Sequence, residues 1–187
     1  VCADVDATAL LSCARERGLS PFVAYHYLST KTANEIESFR YRLRGDRVLV
    51  HGRVDAGAIV LLEDESFTFV YFDFEEDFRA FHSRAKDLVE RARLQPPPLD
   101  AREDRDDLIY HSVIPWVSFR SISHARHSKK QSGIPKVTFG KYRDEGGRCL
   151  MPVSVEVHHA LMDGLHVGRF FQRLESYFAD PRAALGL

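Results

Sequence analysis

Hydrophobic residues recur at helical spacing, every third or fourth position, in four stretches of the chain. The pattern predicts helices over residues 6–18, 20–36, 73–93 and 164–178. Asp6 is a suitable cap for the first helix, and Gly18 ends it. Ser20 followed by Pro21 starts the second, because Ser is a favoured cap and Pro a favoured first helical residue.

Alternation of apolar and polar residues predicts strands between these helices. Phe39, Tyr41 and Leu43 alternate with arginines at 40, 42 and 44, which predicts a half-buried strand with one basic face. Gly45-Asp46 turns this strand into a hairpin partner at 47–50. Further strands are predicted over residues 58–62, 67–71, 108–112, 117–121, 136–141 and 149–158, with a turn at 144–147.

This arrangement of elements predicts an α/β fold, a two-layer sandwich in which a mixed, mostly antiparallel sheet is packed with helices. The chain has 187 residues, so we expect one domain over residues 1–187. It opens with Val1 on what resembles the end of a strand, and we expect an N-terminal strand and helix to precede it.

Composition indicates an ordinary globular protein, with 44% hydrophobic and 28% charged residues and a net charge of -1. This charge gives no reason to expect nucleic acid or an anionic membrane as a partner. No apolar run approaches the roughly 18 residues of a membrane span, and no signal peptide opens the chain. The cysteines, Cys2, Cys13 and Cys149, match neither a zinc motif nor a disulfide framework, so we expect a reduced, cytoplasmic location.

The strongest candidate for chemistry is the pair His158-His159, at the predicted junction between the last strand and the last helix. Histidine suits general-base catalysis because its unperturbed pKa lies near neutrality. In a strand the two rings would point to opposite faces and have different roles. One alternative is a chance pair with Asp163 as a helix cap. A metal site that includes His166 is less favoured, because no second ligand cluster supports it.

The motif around this pair resembles the His-His-x-x-x-Asp-Gly signature of CoA- and carrier-dependent acyltransferases. It spans His158-His159-Ala160-Leu161-Met162-Asp163-Gly164. The Pro-Trp-Val-Ser-Phe segment at 115–119 and the Val-Thr-Phe-Gly-Lys-Tyr segment at 137–142 are similar to segments of the chloramphenicol acetyltransferase family. The single-domain length also matches this family, which implies a chloramphenicol acetyltransferase-like fold.

The resemblance implies roles for four residues. His159 would be the general base that takes a proton from the acceptor hydroxyl, which then attacks the thioester of acetyl-CoA directly. Ser112 would donate to the tetrahedral oxyanion, although a strand serine is often only hydrogen-bonded to its neighbours. Thr138 would hold a water near the intermediate. Asp163 would have a structural role, paired with an arginine that precedes Val1 or with a substitute.

The resemblance also implies how the substrates are bound. Acetyl-CoA is the expected co-substrate, and we expect no metal. The residues that fall where the family contacts CoA are Trp116, Lys141 and Tyr142, and those that match the acceptor pocket are Phe67, Phe69 and His124. A Phe-rich strand is also typical of an ordinary core.

One departure from the family concerns His124, Arg126 and Lys136, which fall at positions that are apolar in typical members. Three ionisable side chains would not improve a pocket for an apolar nitroaromatic molecule. They either point away from the pocket or indicate a different acceptor.

The resemblance finally implies a homotrimer with active sites between subunits, which acetylates chloramphenicol and confers antibiotic resistance. One alternative is an acyltransferase of the same mechanism that acts on a different small acceptor. Another is a non-catalytic trimeric binding protein of the same fold.

Overall fold

The computed structural model describes residues 1–98, 105–124 and 133–187. The helices are α1 (Thr8–Arg17), α2 (Pro21–Glu35), α3 (Phe78–Leu94), α4 (Gly164–Ala179) and α5 (Pro181–Leu185), with a 3-10 turn at Glu37–Arg40. The strands are β1 (Cys2–Asp6), β2 (Tyr41–Arg44), β3 (Arg47–Val50), β4 (Asp55–Leu61), β5 (Phe67–Phe72), β6 (Leu108–Ile114), β7 (Lys136–Gly140), β8 (Arg143–Glu145) and β9 (Arg148–Glu156). No helix in these three ranges is long and apolar enough to cross a membrane.

Within the described ranges, seven strands form one mixed sheet in the order β1-β9-β7-β6-β4-β5, with β8 paired to β9. Strand β6 runs parallel to both β4 and β7, and the other neighbours are antiparallel. The hairpin β2-β3 stands apart as a second, two-stranded sheet. The predicted fold class, a mixed and mostly antiparallel sheet packed with helices, is confirmed.

Aromatic rings join the helices to the sheet. The ring of Tyr25 on α2 lies 4.5 Å from that of Phe139 on β7, and the ring of Phe81 on α3 lies 6.0 Å from that of Phe72 on β5. Because side chains alternate along a strand, the residues before and after Phe139 point to the opposite face. We call the face that carries Phe72 and Phe139 the core face.

Two histidines are buried between helix α2 and the core face of the sheet. The rings of His26 on α2 and His111 on β6 lie 4.9 Å apart, and Ser29 Oγ lies 2.9 Å from His111 Nε2. His26 Nδ1 donates to the Phe22 carbonyl over 2.6 Å. Burial lowers the pKa of His26 to about 4 and the pKa of His111 well below its usual range. Both imidazoles are therefore neutral at pH 7, and both are part of the core.

The end of α1 and the start of α2 follow the predicted signals, whereas the N-cap of α1 is Ala7 and not the predicted Asp6. Gly18 adopts a left-handed conformation with φ 63° at the end of α1, and Ser20 Oγ accepts the Val23 N–H at the start of α2. The third helix begins at Phe78, five residues later than predicted. The reason is Asp77, whose carboxylate caps the helix by accepting the N–H of Arg79 over 2.8 Å.

The predicted strand at 117–121 is wrong. Strand β6 ends at Ile114, and residues 115–124 are irregular. Pro115 has no N–H to donate to a ladder, which stops the strand despite the apolar residues that follow. The chain opens on a strand, as expected, but β1 runs on to Asp6, while β8 and helix α5 lie outside the predicted elements. The start of α5 did carry a signal, because Asp180 is followed by Pro181.

The predicted basic face of β2 is also wrong, because Arg42 is fully buried. Its guanidinium donates to carbonyl oxygens of Phe39, Tyr41, Asp106 and Leu108, over 2.5–2.9 Å. Burial lowers the pKa of Arg42 to about 10, so the side chain stays charged at pH 7. Asp106, just before β6, and Leu108, its first residue, supply two of these acceptors, and such long-range contacts leave no trace in local alternation.

We expect Arg42→Ala to lower the free energy of unfolding by about 3 kcal/mol or more, because it leaves several buried carbonyl groups without a donor. The matched control is Arg44→Ala. Arg44 is exposed and bonds the Asp106 carboxylate, so its loss should lower the free energy of unfolding much less than the loss of Arg42. Urea unfolding followed by far-UV circular dichroism measures both. Equal losses would contradict a structural role for the buried guanidinium.

Candidate active site

The two histidines of the motif lie on a turn and not on the strand. Strand β9 ends at Glu156, and the carbonyl of His158 accepts the N–H groups of Leu161 (2.9 Å) and Met162 (3.1 Å). The predicted strand over 149–158 therefore ends two residues too late. The tight turn, closed by these two bonds, sets the direction of the His159 side chain in place of strand alternation.

His159 is exposed on the surface of the subunit, and its Nδ1 lies 3.3 Å from the Met162 carbonyl oxygen. A carbonyl oxygen only accepts, so this contact favours the tautomer with hydrogen on Nδ1. Nε2 then carries the lone pair. An imidazole in this tautomer can take a proton from a hydroxyl that approaches Nε2.

Asp163 caps helix α4, directly after the turn. Its carboxylate accepts the Leu165 N–H over 3.0 Å, while its own N–H donates to His166 Nδ1 over 3.2 Å. The carboxylate also accepts the His166 N–H, and the two bonds between Asp163 and His166 form a capping box. Among the described residues no arginine reaches Asp163, and His166 lies beside its carboxylate instead, at 2.9 Å.

Three hydroxyl-bearing or thiol-bearing neighbours line up with Ser112 across the sheet. Ser112 on β6 is in register with Thr138 on β7, Thr138 with Ser154 on β9, and Ser154 with Cys2 on β1. Partners in register point to the same face, here the one opposite to the core face. We call Cys2, Ser154, Thr138 and Ser112 the hydroxyl row. Thr138 is fully buried, and Ser112 is half-buried.

A second row of polar side chains runs beside the hydroxyl row on the same face. Tyr110 is in register with Lys136, and Lys136 with Glu156. His124 reaches between the two rows, with Nε2 3.1 Å from Thr138 Oγ1 and Nδ1 3.4 Å from Glu156 Oε2. The structure therefore places His124 and Lys136 on the face of the hydroxyl row.

Arg126, the third ionisable residue at these positions, lies outside the described residues.

The irregular segment that carries His124 covers part of the hydroxyl row. A Cβ added to Gly140 would lie 2.8 Å from the Phe119 ring, so glycine at this position lets the ring close over β7. This cover contributes to the burial of Thr138, whose hydroxyl contacts His124.

The residues expected to contact CoA lie together where β6 and β7 end. Trp116 is 65% exposed and Tyr142 51% exposed, and the Lys141 N–H donates to the Val117 carbonyl over 2.9 Å. A cleft of about 460 Å³ opens beside Trp116. It lies between α2, α3 and the ends of β4 and β6, and its lining includes Phe22, Ile59, Val89, Val113, Lys86 and Arg93.

Phe67 and Phe69 lie on β5, at the edge of the sheet. Their rings form an edge-to-face pair with centroids 5.9 Å apart, and Phe67 is 49% exposed. Phe69 is in register with Ile59 on β4, the residue after the partner of His111. Phe69 therefore lies at about the level of Ser112, two strands away.

Strand geometry separates His159 from Ser112 within one subunit. Ser112 and Ser154 are separated by two strand spacings of about 4.8 Å, and His159 lies five residues beyond Ser154 at up to about 3.3 Å each. The Cα atoms of Ser112 and His159 are thus on the order of 15 Å apart. Trp116 lies still farther away, since it follows β6 at the opposite end of β7.

Neither a motif nor the family resemblance marked Ser154 or Glu156 as site residues. Both lie on β9, and alternation from 153 to 157 already placed them on one face of a strand. Only the register with β7 shows that this face is the one that carries Thr138. The cations Lys86 and Arg93 were also missed, because they look like ordinary surface residues of α3.

Comparison with known proteins agrees with the motif. The family model described as chloramphenicol acetyltransferase matches residues 1–175. Chloramphenicol acetyltransferase 3 of Escherichia coli is 28% identical over 172 residues, which cover 91% of this chain and 81% of that protein. The chloramphenicol acetyltransferase of Streptomyces acrimycini is 29% identical over 188 residues, covering 95% and 82%.

Solved structures give the same result. A chloramphenicol acetyltransferase superimposes with a TM-score of 0.87 at 27% identity, covering 95% of this chain and 86% of the other. The dihydrolipoamide acetyltransferase of Azotobacter vinelandii, at 18% identity and a TM-score of 0.73 over 99% and 82% of the two chains, shares the fold. The chain belongs to the chloramphenicol acetyltransferase family and is a CoA-dependent acetyltransferase.

Proposed function

We propose that the protein transfers the acetyl group of acetyl-CoA to a hydroxyl of chloramphenicol, with His159 as the general base. The observation that carries this proposal is the exposed imidazole of His159 at the carbonyl of Met162, in a chain whose relatives are named for this acceptor. Such an activity inactivates the antibiotic and confers resistance. It consumes acetyl-CoA, which fits the cytoplasmic location expected from the cysteines.

The reaction needs one proton transfer and one attack. His159 Nε2 takes the proton of the acceptor hydroxyl as its oxygen bonds to the thioester carbon. The carbonyl oxygen becomes an oxyanion, to which the Ser112 hydroxyl donates while Thr138 holds a water nearby. The carbon–sulfur bond then breaks, and the CoA sulfur takes the proton back from the imidazolium. No acyl-enzyme forms in this scheme.

The exposed surface at the ends of β6 and β7 supports a CoA site there. Trp116 and Tyr142 offer aromatic faces, and Lys141 offers a cation beside them. The adjoining cleft has apolar walls, and its lining includes the cations Lys86 and Arg93 and the carboxylate of Glu90. Apolar walls suit the pantetheine arm and cations suit the phosphates, so these residues match the two chemically different ends of CoA.

The separation of the base from the hydroxyl row supports an active site shared between subunits. A general base must lie within hydrogen-bond reach of the hydroxyl that it deprotonates, whereas Ser112 and His159 of one chain are on the order of 15 Å apart. A second copy that presents its exposed His159 to the hydroxyl row would complete the site. We therefore propose a homotrimer in which each site combines two subunits.

We expect His159→Ala to lower kcat by about 10²–10⁴, because it removes the base. The protein should keep its circular dichroism spectrum and its mass in sedimentation, since His159 is exposed. The matched control is His158→Ala. His158 Nδ1 accepts the Ala160 N–H and helps to close the turn, so this variant should mainly lose stability. The reverse pattern would show that the base is assigned to the wrong histidine.

A mixing experiment tests the shared site. His159→Ala and Ser112→Ala should each be impaired alone, Ser112→Ala by about 10²–10³ in kcat. When the two variants are unfolded together and reassembled, about a quarter of the sites should combine an intact His159 with an intact Ser112 from different chains. Turnover should then rise well above that of either variant. No recovery in verified mixed oligomers would mean that both residues act within one subunit.

A second candidate function is acetyl transfer to a more polar acceptor. The observation that favours it is the position of His124, Lys136 and Glu156 on the same face as Thr138. Ionisable side chains beside a pocket favour ligands that can hydrogen-bond to them over an apolar ring.

The release of CoA thiol separates these acceptors. We expect turnover with chloramphenicol, measured against amino alcohols, sugars and primary amines at equal concentrations. Turnover with the polar acceptors alone would favour the second candidate. If the oligomer binds acetyl-CoA but no acceptor is acetylated, the protein is a non-catalytic binding protein of this fold.

A further inference from the structure

Three side chains form a continuous chain of hydroxyl, imidazole and carboxylate on the face of the hydroxyl row. Thr138 comes from β7, His124 from the irregular segment after β6, and Glu156 from the end of β9. The two contacts are Thr138 Oγ1 to His124 Nε2 at 3.1 Å and His124 Nδ1 to Glu156 Oε2 at 3.4 Å. The three side chains come from separate elements of the chain, so their contact depends on the tertiary structure.

The chemistry of these groups determines which atom donates in each of the two hydrogen bonds. An ionised carboxylate only accepts hydrogen bonds, so His124 must carry its hydrogen on Nδ1 to bond Glu156. In the neutral ring Nε2 is then an acceptor, and the Thr138 hydroxyl must donate to it. The hydroxyl has one hydrogen, which this bond uses, and its oxygen keeps lone pairs for another donor.

The burial of Thr138 makes the direction of its hydrogen bond to His124 important. Thr138 is fully buried, so bulk water does not compete for its hydroxyl, and the imidazole decides how the hydroxyl rotates. The same burial argues against Thr138 as a nucleophile, although the linked hydroxyl, imidazole and carboxylate resemble a catalytic triad. The arrangement can instead fix the orientation of the Thr138 hydroxyl before the reaction begins.

We propose that His124, held in one tautomer by Glu156, is a positioning residue that fixes the Thr138 hydroxyl as a hydrogen-bond acceptor toward the active site. The proposal rests on the proposed role of the hydroxyl row in acetyl transfer. A fixed acceptor beside Ser112 orients an internal water without reorganisation during the reaction. His124 itself touches no reacting atom.

The hydrogen-bond chain can be tested without turnover. Two-dimensional NMR of protein with ¹⁵N-labelled histidine distinguishes the two tautomers, and the spectrum of His124→Gln identifies the His124 signals among the nine histidines. We expect His124 in the Nδ1–H tautomer in the intact protein. Glu156→Gln can donate to Nδ1 as well as accept, so it should populate the Nε2–H tautomer. An Nε2–H tautomer in the unaltered protein would overturn the proposal.

Kinetics test the consequence. His124→Leu should lower kcat about fivefold to tenfold, the value of one hydrogen bond, with KM for acetyl-CoA unchanged. His124→Gln should recover part of that loss, because its side-chain oxygen can accept the Thr138 hydroxyl. His51→Gln, on the chain that follows β3, is the matched histidine control and should keep the original kcat.

An unchanged kcat in His124→Leu would overturn the proposal, and so would equal kcat values for the Leu and Gln variants. If the unaltered protein acetylates no acceptor, the proposed function fails. The tautomer measurement still decides the hydrogen-bond chain in that case.

Discussion

The register of β6, β7 and β9 determines which side chains can act together in this protein. Ser112, Thr138 and Ser154 share a face only because each is directly opposite the next. A slip of one residue in β7 would replace Thr138 with Val137 or Phe139 and turn the hydroxyl into the core. The packing of Phe139 against Tyr25 opposes that slip. The buried aromatic layer thus holds the polar groups on the other face in line.

Local signals in the sequence predicted much of the fold. Caps and turn residues such as Gly18 and Ser20 act within a few positions, so the helix ends could be found without the structure. Arg42 shows where this fails. Its alternation with apolar residues predicts an exposed face, but carbonyl groups more than sixty residues away enclose it. Pro115 shows that one residue without an N–H outweighs the apolar pattern around it.

The candidate site shows the same contrast between features that local sequence predicts and contacts that depend on tertiary structure. The motif from His158 to Gly164 is contiguous, so the sequence alone singled out His159 and Asp163. The structure adds the cap that Asp163 places on α4, where His166 completes the capping box. The contact of His124 with both Thr138 and Glu156 joins segments up to 32 residues apart, and no spacing rule anticipates it. Resemblance to a family marked His124 and Thr138, and the tertiary structure added Glu156 as the partner of His124.

The two imidazoles sealed behind Ser112 affect how acid inactivation must be interpreted. An unfolded histidine titrates near pH 6.5, whereas His26 in the fold titrates at about 4. The unfolded chain therefore takes up protons first, and stability is lost as the pH falls from about 6.5 toward 4. Protonation of a histidine base lowers the rate in the same direction. The acid limb of a pH–rate profile reports the chemistry of this protein only after correction for the folded fraction at each pH.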